Sequence, residues 1–297
     1  MTSTGKSFRR VTKREPCPIC GKPDWCMVAI TGEVCICQRV DQGAEKHLGD
    51  AGWLHRLKDR PARIKPIRRQ PQQQVSTVVD SRDWPLIVGD CVDAADGERV
   101  RLLGKSLGIS CETMIRLETG WASKAMLASL GTKCSGEGCW TFPMFDAKHA
   151  VVGVRLRSLD GFKYAIAGSD GNGIFDPCMD NKADPLVIVE GPTSAGAMCD
   201  LGYSVIGRSS CTGSTAHCVA RGEGRNVVIY ADSDKADEHG RRPGRAGAEA
   251  LAAAMKGRAK SIKIMQATGA KDVRAMVNDG ADRDVFDILI SQAAYWR

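Results

Sequence analysis

The chain has 297 residues, 43% of them apolar, with 42 Lys plus Arg against 35 Asp plus Glu. That length suits roughly two domains, the apolar share excludes wholesale disorder, and no run of about 18 apolar residues is present to span a bilayer. The opening MTSTGKSFRRVTKREP is basic but lacks the apolar segment of a secretory signal, so a cytoplasmic protein is expected. Charge is unevenly spread. Residues 1–75 hold 15 Lys/Arg against 7 Asp/Glu, whereas the other 222 hold 27 against 28. A polyanion is the natural partner for the first quarter, because each neutralised phosphate releases condensed counterions.

Cysteine is skewed the same way, with five of 13 lying between Cys17 and Cys37. Clustered cysteines in a large chain with no signal segment read as a metal site. Scattered ones (Cys91, Cys111, Cys178, Cys199, Cys218) read as small buried hydrophobes, and Cys134 and Cys139 are too few for a second zinc site. In CPICGKPDWCMVAITGEVCIC, Cys17 and Cys20 form a knuckle that Gly21 lets turn tightly. Two β-prone runs follow, Trp25–Ile30 and Glu33–Gln38, joined by Thr31-Gly32. A two-residue turn there sets Cys26 opposite Cys37, with Cys35 on the same face one step nearer the turn. Cys17, Cys20, Cys26 and Cys37 are therefore the expected tetrahedral zinc ligands, with Cys35 the alternate for Cys26 and His47 and His55 as competitors. Four thiolates leave no open position. Such a zinc is structural.

Residues 1–56 thus read as a zinc-binding domain and 57–79 as a basic linker. Its seven Lys/Arg between Arg56 and Arg69 are interleaved with Pro61, Pro66 and Pro71, which favour an extended tether. Residues 80–183 form a mixed α+β segment, helical over 80–130 and then in strands. Trp140–Phe145, Val151–Arg157 and Phe162–Ile166 carry the strand pattern, with Asp160-Gly161 as a hairpin turn. Arg155 and Arg157 share one strand face, and Lys163 falls beside them. A cationic sheet face suits a phosphodiester track.

From 184 to 297 apolar strands alternate with helices, which argues a parallel sheet flanked by helices. Pro185–Glu190, Tyr203–Gly207, Asn226–Ala231 and Ser261–Met265 are the expected strands. Ligands bind such sheets at the strands' C-terminal ends, where Glu190, Asp232 and Asp234 stand. Carboxylates gathered there repel unless cations neutralise them, and Mg²⁺ or Mn²⁺ matches hard oxygen donors. Gly191 allows close backbone approach to a phosphate or metal. Lys271 and Asp272 occupy a third strand-to-helix turn, with Asp279 a further acidic candidate. An Asp after a strand often caps the next helix, but capping alone explains three such acidic strand ends poorly.

These residues carry a family resemblance. Val-Ile-Val-Glu190-Gly191 followed by Ile-Tyr-Ala-Asp232-Ser-Asp234 resembles a TOPRIM domain, as found in bacterial-type primases, topoisomerases and certain nucleases. Upstream, Arg155-Leu-Arg157, Asp160-Gly-Phe-Lys163-Tyr164 and Gly173-Ile-Phe175 resemble the basic core of bacterial and phage primases. With the zinc hairpin ahead of them, residues 17–280 look like a small phage or mobile-element primase with no fused helicase.

The resemblance implies an α/β chain of zinc-ribbon hairpin, mixed basic core and TOPRIM parallel sheet with a C-terminal helix. It implies RNA primer synthesis on single-stranded DNA from ribonucleoside triphosphates, in the host cytoplasm if phage-encoded, beside a replicative helicase. Glu190 would act in nucleotidyl transfer, and Asp232 and Asp234, supported by Asp272, would bind Mg²⁺ or Mn²⁺. Arg155, Arg157 and Lys163 would hold template and primer, and the zinc module would engage template. Ser194 departs from the pattern, standing where relatives often carry Asp, which leaves Asp272 or Asp279 to compensate. The rival readings are a TOPRIM nuclease and a non-catalytic DNA-binding replication adaptor. A topoisomerase needs a nucleophilic tyrosine, and Tyr203 and Tyr230 fall in predicted strands.

Overall fold

A computed structural model of the chain describes residues 8–48, 51–57, 82–179, 181–234 and 242–296. The expected tether, Leu57 apart, lies outside the described residues. The chain divides into two compact units, Met1–Val78 and Val79–Arg297. Among the described residues no helix is long and apolar enough to cross a membrane.

The first unit is a small antiparallel sheet of β1 (Phe8–Arg10), β2 (Met27–Ala29), β3 (Val34–Cys37), β4 (Lys46–His47) and β5 (Trp53–Arg56), in the order β1-β2-β3-β5-β4. The turn closes as Gly32 N–H donates to the Ala29 carbonyl at 2.8 Å, with Gly32 at φ 66°. Met27 pairs with Ile36 and Val28 with Cys35, so the register carries Cys26 opposite Cys37 as expected. The core consists of Val11 and four buried cysteines, Cys17, Cys26, Cys35 and Cys37, with a few flanking aliphatics. A core that small does not stabilise a domain of this size by burial alone.

The second unit opens with α1 (Trp84–Asp93), α2 (Gly97–Leu107) and α3 (Cys111–Arg116), capped by Asp83, Asp96 and Ser110. Then come β6 (Gly120–Ser123), α4 (Lys124–Ser129), β7 (Gly138–Phe145), β8 (Val151–Ser158), β9 (Lys163–Ala165) and β10 (Ile174–Phe175). The stretch expected to be wholly helical therefore includes a strand. β6 is four residues long with no alternating pattern, and only its pairing with β7 makes it a strand. The chain continues through β11 (Leu186–Glu190), α5 (Gly191–Asp200), β12 (Ser204–Arg208), α6 (Thr215–Arg221) and β13 (Asn226–Ala231). It ends with α7 (Pro243–Met255), β14 (Ser261–Gln266), α8 (Val273–Asn278) and α9 (Arg283–Gln292).

A single nine-stranded sheet runs β14-β13-β11-β12-β10-β7-β8-β9, with β6 also on β7. The first four strands are parallel, and β10 joins them antiparallel to the β7–β8–β9 meander. The parallel strands bury both faces. Leu186, Ile188, Val227 and Ile229 pack on Leu251 and Met255 of α7. Val187, Val189 and Val228 pack oppositely, against Met198 of α5, Met276 of α8 and Phe286 of α9. Burial on alternate sides produces the unbroken apolar runs visible in the sequence. Of the scattered cysteines, Cys91 and Cys218 are buried and Cys178 and Cys199 are disulfide-paired, but Cys111 is exposed, as the first residue of surface helix α3.

Candidate active site and metal centre

In the first unit the sulfurs of Cys17, Cys20, Cys26 and Cys37 all lie within 4.8 Å of one another. Cys20 to Cys26 is 3.7 Å and Cys26 to Cys37 is 4.0 Å. A zinc ion bonded at about 2.3 Å to four sulfurs would space them by roughly 3.8 Å, so the donor set fits zinc. Cys35 approaches only Cys17 in this group, at 3.6 Å, and stays outside the converging four. His55 is spent on the Val40 carbonyl at 2.8 Å, and the His47 ring packs at a tilt against Trp53, centroids 5.3 Å apart. Gln38 N–H donates to the Cys26 sulfur and Arg39 N–H to that of Cys37, while the Arg39 guanidinium reaches Cys20 and Cys26. These donors hold negative sulfur in place, the usual outer-shell support of a metal. Burial pushes the Cys26 thiol up to about 12 and raises that of Cys37, whereas against burial the hydrogen bonds from Lys22 and the neighbouring cysteines bring Cys20 down to about 7. A cation among the four sulfurs would offset that penalty.

The second unit carries a cavity of about 350 Å³ into which the other sequence candidates converge: Arg155, Arg157 and Lys163, Glu190 and Gly191, Asp232 and Asp234, Lys271 and Asp272. Topology explains the convergence. Glu190 ends β11, Asp232 and Asp234 follow β13, and Lys271-Asp272 follows β14 just before α8, so all stand at C-terminal ends of neighbouring parallel strands. The opposite wall is the β8–β9 hairpin. There Arg157 pairs in register with Lys163, and Arg155 lies two residues along the same face. Ser233 ties the loop after β13 to the turn after β14, its N–H donating to the Lys271 carbonyl at 2.7 Å and its hydroxyl to the Ala267 carbonyl at 2.6 Å.

Capping occupies only part of the acidic set. Asp272 Oδ1 accepts from Ala275 N–H at 2.8 Å, and Asp234 Oδ2 accepts from Gly244 N–H at 3.1 Å near the start of α7. The second oxygen of each takes no hydrogen bond among the described residues. Glu190 precedes α5 without a side-chain cap. Gly191 has φ 79°, which the turn from β11 into α5 demands, and nothing fills the space where a Cβ would sit. Asp279 does not reach the cavity. It ends α8 and is exposed, because that helix carries it about 10 Å from Asp272. Ser194, buried in α5, does line the cavity.

The electrostatics follow from crowding. Burial, then the negative charges of Glu190, Asp272 and Asp234, push the Asp232 carboxyl up to about 7. Glu190 is raised by burial and by Asp234, against the pull of Arg208, Lys163 and Arg155. Burial also lowers Arg155, Arg157 and Lys163, the last two further through neighbouring cations. Yet among the described residues no ion pair within 4 Å joins a cation of this cavity to one of its carboxylates. The negative set, with free oxygens on one wall, fits divalent cations. Arg274 also lines the cavity and was not among the sequence candidates. Its only signal is its place in the first turn of the helix after Lys271-Asp272. None of the four tyrosines lines the cavity. Tyr203 and Tyr230 are buried in the core.

The sequence matches no family model and no curated protein. Solved structures do match. The E. coli primase catalytic core aligns at 19% identity over 71% of this chain and 80% of that one, with a TM-score of 0.54. A DnaG primase catalytic domain bound to single-stranded DNA aligns at 17% over 71% and 78%, with a TM-score of 0.55. The zinc-binding and RNA polymerase domains of the Aquifex aeolicus primase align at 14% over 72% and 60%, with a TM-score of 0.53. The fold is therefore that of the primase catalytic core. The first unit holds a four-cysteine cluster, and the second an acidic-and-basic cavity.

Proposed function

We propose that this chain is a DNA primase that makes short RNA primers on single-stranded DNA by metal-dependent nucleotidyl transfer. One observation carries the reading: nine charged side chains of both signs line one cavity of a primase fold without pairing with each other. Unpaired carboxylates call for cations, and unpaired cations call for phosphates. A nucleoside triphosphate with its metals supplies both.

In this reading Asp232 and Asp234, with Asp272 beside them, hold Mg²⁺ or Mn²⁺, and Glu190 stands at the reacting end of the same wall. Bound there, the metals would shield the triphosphate and lower the pKa of the attacking 3′-hydroxyl. The hydroxyl oxygen bonds to the α-phosphorus, the bond to the β-phosphate oxygen breaks, and pyrophosphate leaves as the hydroxyl proton is lost. Arg155, Arg157 and Lys163 line the track for template and primer phosphates, with Lys271 across from them and Gly191 keeping the backbone clear. Asking little covalent chemistry of the protein suits a site of this kind. Single-stranded DNA is the expected template, since one similar primase catalytic domain is solved bound to it; the zinc module would engage that template, and a replicative helicase is the partner that the family resemblance implies.

The test is synthesis by the zinc-loaded full chain from ribonucleotides and Mg²⁺ on single-stranded templates of varied sequence, with and without a replicative helicase. Short oligoribonucleotides are expected. Strand cleavage without nucleotide incorporation would instead establish a nuclease, and DNA binding with neither activity an adaptor.

A further inference from the structure

The chemistry above leaves Arg274 without a role. It projects from the first turn of α8, and its Nη1 donates to the Leu107 carbonyl at 3.4 Å, one of the orphan carbonyls at the C-terminus of α2. Asn278 donates to the same oxygen at 3.3 Å, so two side chains of α8 grip one end of α2. With Nη1 committed, the guanidinium retains its side-on fork, Nε–H together with Nη2–H. That Nε is shielded from solvent and has no hydrogen-bond partner. A buried donor left unsatisfied forfeits its hydration with nothing in return, and native proteins rarely leave one so.

The surroundings sharpen the point. The charge repelling Arg157 from nearby is that of Arg274, and Arg157 itself has no ion pair among the described residues. Two guanidinium groups thus line one cavity, neither with an ion pair among the described residues, and the side-on fork of an arginine matches a pair of oxyanion oxygens. Arg274 also stands on the turn that delivers Lys271 and Asp272, so an anion held there would adjoin the carboxylate wall.

We propose that Arg274 and Arg157 form a clamp for a phosphate oxyanion, with Arg274 contributing the side-on fork of Nε and Nη2. This rests on the primase reading for the identity of the phosphate, which belongs either to the triphosphate and its pyrophosphate product or to the nucleic-acid strand. It does not rest on turnover.

Equilibrium binding separates these sources. The zinc-loaded full chain is titrated with inorganic pyrophosphate in Mg²⁺, and separately with a single-stranded oligodeoxynucleotide over a range of salt. Two variants are compared with it, Arg274→Ala and Arg274→Lys. The lysine can still donate to Leu107 but has no fork, so it isolates the clamp from the bracing of α2, and thermal unfolding checks that each variant is folded. A loss of about tenfold or more in pyrophosphate affinity in Arg274→Lys, with strand binding unchanged, supports the clamp and assigns it to the free phosphate chain. An equivalent loss for the strand, with a salt slope shallower by about 1, supports it and assigns it to the backbone. Binding of both probes within twofold of the parent by folded Arg274→Lys overturns it. Absence of primer synthesis with both probes still bound would sink the primase reading and leave the clamp standing.

Discussion

The two functional regions gather charge by opposite rules. In the first unit four sulfurs converge on one point, and Gln38 and Arg39 donate to those of Cys20, Cys26 and Cys37, so a bound zinc would complete a closed set. The cavity of the second unit holds Arg155, Arg157 and Lys163 on one wall and the carboxylates, with Lys271 and Arg274 beside them, on the other, and among the described residues no ion pair joins the two signs. One region is closed and self-sufficient. The other is left open for something that arrives and leaves. A structural metal needs saturation, because its binding energy is folding energy, whereas a turnover site needs groups whose charge is neutralised only when substrate is present.

The largest effect should come from breaking the closed region. Cys26→Ser is expected to abolish zinc binding and unfold the module, since a structural zinc contributes on the order of 10 kcal/mol in small domains. Cys35→Ser is expected to keep one zinc per chain and cost about 1–2 kcal/mol of stability, the price of altering a buried core sulfur. Zinc content by atomic absorption checks the pair. Equal loss in both would put Cys35 among the ligands. In the open region, Asp232→Asn with Asp234→Asn should lower primer synthesis by more than about 10⁴-fold while the fold and strand binding persist. Retained synthesis would move the metal site elsewhere.

How much of this was legible depends on the range of the interactions involved. The two-residue turn at Thr31-Gly32 is local and fixes the register that sets Cys26 against Cys37. The parallel strands are legible because both faces are buried, and the strand ends at Glu190 and Asp232 follow from the same runs. Strand β6 is not, since a four-residue stretch of Gly-Trp-Ala-Ser becomes a strand only beside β7. Asp279 and Arg274 lie in one short segment and fared oppositely. The position of each depends on where the six-residue α8 starts and which face meets α2, a contact 167 residues distant in sequence. No local pattern encodes that. Composition also misleads where two charges of opposite sign sit near each other, because the nearly neutral tally of the second unit conceals a cavity whose charges do not pair.

A milder effect than the loss of zinc or of synthesis tests that segregation without any substrate. In Mg²⁺-free protein with zinc retained, burial and three neighbouring carboxylates raise Asp232 from 3.8 to about 7. A carboxyl whose folded pKa exceeds its unfolded one binds its proton more tightly when folded. It therefore opposes folding once ionised: the penalty is absent below about pH 4, grows as pH rises toward 7, and is complete above that. Asp232→Asn lacks the penalty, so its stability relative to the parent should climb through this window, by about 2–4 kcal/mol at the plateau. Urea unfolding of both proteins from pH 4 to pH 8 measures the divergence. Added Mg²⁺ should close much of it, because a cation bound by the carboxylate wall stabilises only the parent. A constant difference between the two proteins across the range would show that the carboxylates do not crowd one another. The open region would then be as internally balanced as the zinc module.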